Sequence, residues 1–153
     1  MNIGSYLDRL AAMRTAIAEK NYEQALQIGR AEMDRGCDSS DLLLLLATAG
    51  QLSEGDSCSL DDVHGWLERA TQLNPDNAEA WMELGHFLDA VADQPQLAVS
   101  AFENALEKSV AVLEATLDGL ESTSSSQDEA TRERLAHLCQ RAGKRLSRTA
   151  PED

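Results

Sequence analysis

The chain has 153 residues, 27 of them acidic and 13 basic, for a net charge of −14. A surface of that sign repels phosphate backbones and anionic lipid headgroups, so neither a nucleic acid nor a membrane is the expected partner. Hydrophobic residues make up 42% and aromatic ones only 4%, which calls for a core of Leu, Ala, Val and Met. Alternating runs of Val, Ile, Thr and Tyr are missing, so no strand is expected.

Cysteine is sparse, at Cys37, Cys58 and Cys139, and no CxxC occurs. A reduced, cytoplasmic setting is the simplest expectation. The segment Met1–Tyr6 lacks a basic region followed by a long apolar run, so no signal peptide is expected. The longest apolar run, from Leu42 to Ala47, is too short to span a bilayer.

The spacing of Leu10, Met13 and Ile17, with Leu7 and Ala11 beside them, predicts a first helix over Ser5–Glu19, capped by Ser5 with Asp8 three residues on. Lys20-Asn21 makes a turn, and a second helix follows from Tyr22 to about Arg35. Its stripe is Tyr22, Ala25, Leu26, Gly29 and Met33. Gly29 inside a helix costs about 1 kcal/mol relative to Ala, which close approach of a neighbouring helix would offset. Gly36 ends the helix in a left-handed cap. Ser39-Ser40-Asp41 caps a third helix to about Leu52. Its run from Leu42 to Ala47 is apolar all round, as suits a helix lying between two layers.

The loop Ser53–Cys58 leads to Ser59, which with Asp62 forms a capping box for a fourth helix over Leu60–Leu73. Val63, Trp66, Leu67, Ala70 and Leu73 point inward there. Asp76 or Asn77 caps a fifth helix, Ala78 to about Val91, which Asp93-Gln94-Pro95 breaks. A sixth begins near Gln96, carries Leu97, Ala101, Ala105, Leu106, Leu113 and Leu117 inward, and can run to Leu120. The serine-rich stretch Ser122–Ser126 is a linker. A seventh helix, Gln127 to about Ser147, has Ala130, Leu135, Leu138, Cys139, Ala142 and Leu146 on one face and carries Arg132, Arg134, Arg141, Lys144 and Arg145.

Internal similarity is the next signal. In Leu73–Lys108, Trp81-x-x-Leu84-Gly85-x-x-Leu88 is followed by Ala98-x-x-x-Phe102-x-x-Ala105, and Pro75 precedes both. This unit resembles a tetratricopeptide repeat (TPR), with Leu88 where Tyr is usual and one extra residue in the Asp93–Gln96 loop. Upstream, Leu43-x-x-Leu46-Ala47 can be laid on the first-helix pattern and Val63, Leu67, Ala70 and Pro75 on the second. That alignment needs about four extra residues between Ser53 and Ser59. Asn21–Leu26 looks like a further second-helix opening, but Gly29 replaces the aromatic and Glu32 replaces the small residue.

The resemblance implies an all-α, TPR-like right-handed superhelix forming a single domain over residues 1–149. Its hairpins would lie at roughly 5–36, 40–74 and 77–120, with a C-terminal capping helix at 127–147. Gly85 and Ala98 would be small where the two helices of a hairpin cross, Ala105 small against the next layer, and Trp81 and Phe102 would fill the space between hairpins.

No catalytic constellation is found. His64, His86 and His137 lack metal-ligand spacing, and the acidic loop Glu54–Asp62 lacks the spacing of a calcium loop. Cys58 lies near Asp56 and Asp61, which oppose thiolate formation. There is no glycine-rich phosphate loop. The expectation is a protein that is not an enzyme and uses no cofactor or metal.

In TPR proteins the first helix of each hairpin lines a concave groove that binds peptides. Carried over residue by residue, that groove would be Leu10, Arg14 and Ile17, then Leu44, Thr48 and Gln51, then Met82, His86 and Asp89. Carboxylate-clamp members of the family use several Lys, Arg and Asn there, whereas this set offers Arg14 alone. The implied ligand is an apolar or basic segment of another protein rather than an acidic C-terminus. Two alternatives stand beside this adaptor or chaperone-like reading. One is a structural homo-oligomerisation unit pairing through the sixth or seventh helix. The other is a chaperone similar in size, acidity and fold to those of bacterial type III secretion translocators.

Overall fold

The computed structural model describes residues 3–54, 57–123, 129, 133–134, 136–138 and 140–141, and among these there is no strand. Six helices follow in order: α1 Ile3–Ala18, α2 Tyr22–Asp34, α3 Ser40–Leu52, α4 Leu60–Leu73, α5 Ala78–Ala90 and α6 Pro95–Thr123. The chain divides into two compact units, Met1–Val110 and Ala111–Asp153. In the second unit α6 continues to Thr123, and the described residues between Glu129 and Arg141 are helical. Most of the expected seventh helix, including Ala130, Leu135, Cys139, Ala142 and Leu146, lies outside the described residues.

Helix ends follow local chemistry. The Ser39 side chain accepts from the Leu42 N–H at 3.2 Å. Ser59 and Asp62 complete a capping box, each side chain accepting from the other's backbone N–H at 3.1 Å. Asn77 accepts from the N–H groups of Glu79 and Ala80, and Asn21 from that of Gln24. Each satisfies a donor that the first turn leaves orphaned. After α2, Gly36 takes φ +75° while its N–H reaches Met33 O and that of Cys37 reaches Glu32 O, a Schellman end. Lys20 does the same after α1, at φ 60° and without the freedom of glycine. The N–H of Asn21 closes that turn on Ala16 O.

The expected ends of two helices need correcting. α1 begins at Ile3, so Ser5 sits inside it and is not its cap. α6 runs without interruption through Ser122 and Thr123, because a serine pays only a modest helix penalty and neither Gly nor Pro intervenes there.

Successive helices α1 to α5 pack in order, and α3 also touches both α1 and α5. Such contact between alternate helices is the neighbour pattern of stacked helical hairpins. α3 contributes to two clusters at once. Leu42, Leu43 and Leu46 join Leu10, Met13 and Ala16 of α1 and Ala25 and Leu26 of α2. Leu44 and Ala47 join Val63, Leu67, Leu84, Phe87, Leu88, Ala98 and Ala101. The all-apolar run is thus buried from both sides, as its pattern predicts. At Gly29 a methyl group would stand 2.5 Å from Leu46 Cδ2 and 2.8 Å from Met13 Cε, so the absence of a side chain lets α1 and α3 close over α2.

Several residues expected inside lie outside. Leu7, Leu73, Leu97 and Leu106 are all exposed, as is Met33 at the margin. On α6 the buried stripe is Ala98, Ala101 and Ala105, one step round from the one that the leucines suggest. Small side chains let α6 approach α5, and the larger leucines flank that line of contact.

Candidate functional site: the face of α1, α3 and α5

Two side-chain hydrogen bonds tie the N-terminal ends of three helices together. The hydroxyls of Tyr6 on α1 and Ser39 before α3 are 2.6 Å apart. The Asn77 amide, at the start of α5, donates to Ser40 Oγ at 3.0 Å. Adjacent serines thus hold one neighbour on each side of α3. Asn77 serves twice, capping α5 with its oxygen and bridging to α3 with its nitrogen.

Beside this tie lies a pocket of about 290 Å³, lined by Arg14, Ile17 and Ala18 of α1, Asp41, Leu44, Leu45 and Thr48 of α3, and Glu79 of α5. Its floor is aliphatic. Thr48 is half-buried and its hydroxyl donates to Leu44 O at 2.9 Å, so its proton is already engaged within α3. Arg14, Asp41 and Glu79 are exposed at the rim, and among the described residues none of the three makes an ion pair.

Four of the nine expected groove residues, Arg14, Ile17, Leu44 and Thr48, meet in this pocket. Leu10 does not: it is buried in the core at 4% exposure. Gln51, Met82, His86 and Asp89 are exposed but do not line it. His86 instead turns toward α6, its ring edge-on to Phe102 with centroids 5.0 Å apart. Asp41, Glu79, Ala18 and Leu45 were not among the expected set. The first two stand two residues before Leu43 and Trp81 respectively, and that shared register position is the signal that could have found them.

The α1–α2 pair beneath this face is pinned by a buried carboxylate. Glu32 is fully buried on α2. Arg9 Nε of α1 lies 2.5 Å from its Oε1, Arg35 pairs with the same oxygen, and the Cys37 thiol donates to Oε2 at 3.5 Å. Burial pushes the Glu32 carboxyl up, but the hydrogen bonds and charges of these partners outweigh it and hold the group below its ordinary range. The same burial and the facing carboxylate push the Cys37 thiol up.

A second pocket of about 230 Å³ lies among α4, α5 and α6. His64, Glu68, Trp81, Leu84, Leu88 and Ala101 are among its walls. His64 stacks on Phe87 with centroids 5.5 Å apart, and the Trp81 indole donates to Pro75 O at 2.9 Å. Trp81 is thereby fixed against the turn that precedes its own helix. Phe102, expected between hairpins, packs on Gly85 within its own hairpin.

The Cys58 thiol is pushed up by burial and then by Asp62, a carboxylate other than the expected Asp61, while Asp56 lies outside the described residues. Among the described residues no group of three or more His, Cys, Asp or Glu is placed to hold a metal ion, and no helix is long and apolar enough to cross a membrane. No protein-family model matches the chain, and no curated protein matches it in sequence.

Proposed function

We propose that this chain is a non-catalytic, cytoplasmic protein-interaction module of the TPR type that holds a segment of a partner protein on the face of α1, α3 and α5. The observation that carries the reading is the pocket in which Arg14, Ile17, Leu44 and Thr48 converge. These residues come from equivalent stretches of two successive hairpins, as a repeat register requires. An aliphatic floor with a few rim charges suits side-chain docking from a peptide or helix rather than chemistry on a small substrate.

Thr48→Arg tests this. Thr48 is half-buried and its hydroxyl bonds only within its own helix, so the arginine blocks the pocket while the helices stay packed. Proteins captured from the native host by the wild-type chain should be lost with the variant at unchanged helicity; an identical captured set rejects the assignment.

A second reading, homo-oligomerisation, is favoured by Val99 and Leu106, two apolar residues seven apart on one side of α6 and each more than half exposed. Light scattering over a wide concentration range decides it, since a strict monomer throughout leaves these residues without that role.

A further inference from the structure

We infer that the α1–α3–α5 pocket selects a partner segment with a bulky apolar residue adjacent to a lysine or arginine, Asp41 and Glu79 being the residues that read the basic group. The inference rests on the groove reading above and adds the charge of the ligand.

The volume is the first argument. At about 290 Å³ the pocket is roughly twice the ~150 Å³ cavity that admits benzene in an engineered protein core. One Leu, Met or Phe side chain fits, with room for part of its neighbour. The apolar lining that receives it, Ile17, Leu44 and Leu45 with the exposed Ala18 beside them, carries no polar side-chain atom.

The rim is the second. Asp41 and Glu79 stand in the first turns of α3 and α5, whose starts are joined by the Asn77–Ser40 bond. The two acidic residues are therefore carried on one side of the same pocket by joined helix starts. Each helix N-terminus carries a partial positive charge of about half a unit, which offsets about half of each carboxylate and leaves that side negative. Neither acid is neutralised by an ion pair among the described residues, so the charge is available to a ligand. The net charge of −14 adds a long-range field that draws basic segments and repels acidic ones. Among the described residues, Arg14 is the one basic side chain lining the pocket.

Selection of short random displayed peptides on the full-length chain tests the proposal, followed by fluorescence anisotropy of the recovered sequences. The expected result is enrichment of Lys or Arg next to Leu, Ile, Met or Phe. Asp41→Asn with Glu79→Gln should weaken binding about three- to tenfold, the range for two exposed charge pairs, and flatten its salt dependence. Replacing the peptide's basic residue by Gln should have the same effect on the wild type and little further effect on the double variant. Recovered peptides with no basic bias, or affinity unmoved by the double variant, overturn the inference. If Thr48→Arg still abolishes that binding, the groove reading survives. Binding indifferent to Thr48→Arg, or no binding peptide at all, overturns both. Self-association abolished by Thr48→Arg would make a second copy the occupant and likewise overturn the inference.

Discussion

The ring of Phe102 lies across Gly85, where a methyl group would stand 2.7 Å from Cε1 of that ring. Helix propensity alone favours alanine over glycine by about 1 kcal/mol, so this contact decides the sign. Gly85→Ala should destabilise the protein by about 1–2 kcal/mol net, within the usual range for overpacking. Gly65, exposed on α4, has nothing within 4 Å of a methyl position, and Gly65→Ala should stabilise by about 0.5–1 kcal/mol. Urea titration of both variants checks the pair. Adding Phe102→Leu should relieve most of the Gly85→Ala penalty; additive effects in that double-mutant cycle would contradict the contact.

Lys20 holds a left-handed conformation at φ 60° to end α1. A residue with a Cβ loses about 1 kcal/mol there, and glycine is the ordinary occupant of this position. Lys20→Gly should stabilise by about 0.5–1 kcal/mol, raising Tm by about 1–4 °C. A fall in Tm on calorimetry would show that the left-handed turn is not the state being stabilised.

Glu32→Gln leaves Arg9 facing a neutral amide in a buried site. The expected cost is about 2–3 kcal/mol, read by chemical unfolding. The folded-state pKa of Glu32 lies below its unfolded value. Its stabilisation is therefore complete above the ordinary glutamate range near 4.3 and is lost as pH falls through the folded value. Asp62, held down by its Ser59 hydrogen bonds, acts in the same direction. Acid unfolding of Glu32→Gln should be shallower than that of the wild type, and parallel curves would refute the ion-pair role.

Leu44→Glu should unfold the second cluster rather than probe binding, because Leu44 is only 7% exposed. Loss of helical circular dichroism at room temperature is the expected outcome for Leu44→Glu, and its retention for Thr48→Arg. A folded, cooperative Leu44→Glu chain would mean that this side chain faces solvent.

The features legible in the sequence are those fixed within a few residues. Ser39, Ser59 with Asp62, Asn77 and Gly36 end or start helices through bonds to neighbours three or four positions away, and the structure has them so. Features that depend on partners far along the chain were not legible. Glu32 reads as a misfit at a small-residue position, and its burial makes sense only with Arg9, which comes from the preceding helix. Leu10 has the spacing of a groove residue, yet the inward side of α1 turns far enough to place it in the core. On α6 the alanines of the expected stripe are inside, and the leucines Leu97 and Leu106 beside them are not. Close helix contact favours the smaller side chain, and Ala98, Ala101 and Ala105 took the inside. Half of the pocket lining was anticipated, and Asp41 and Glu79 were missed because exposed acids are common on so acidic a chain.

The Ser39–Ser40 tie makes one end of the face a pivot. Tyr6 and Asn77 anchor α1 and α5 to the same point on α3, and neither bond reaches the other ends of those helices. α1, with 16 residues, is about 24 Å long. A tilt of about 5° about the anchored end would swing its far end by about 2 Å. Any tilt of α1 or α5 against α3 would therefore leave in place the end that carries Asp41 and Glu79.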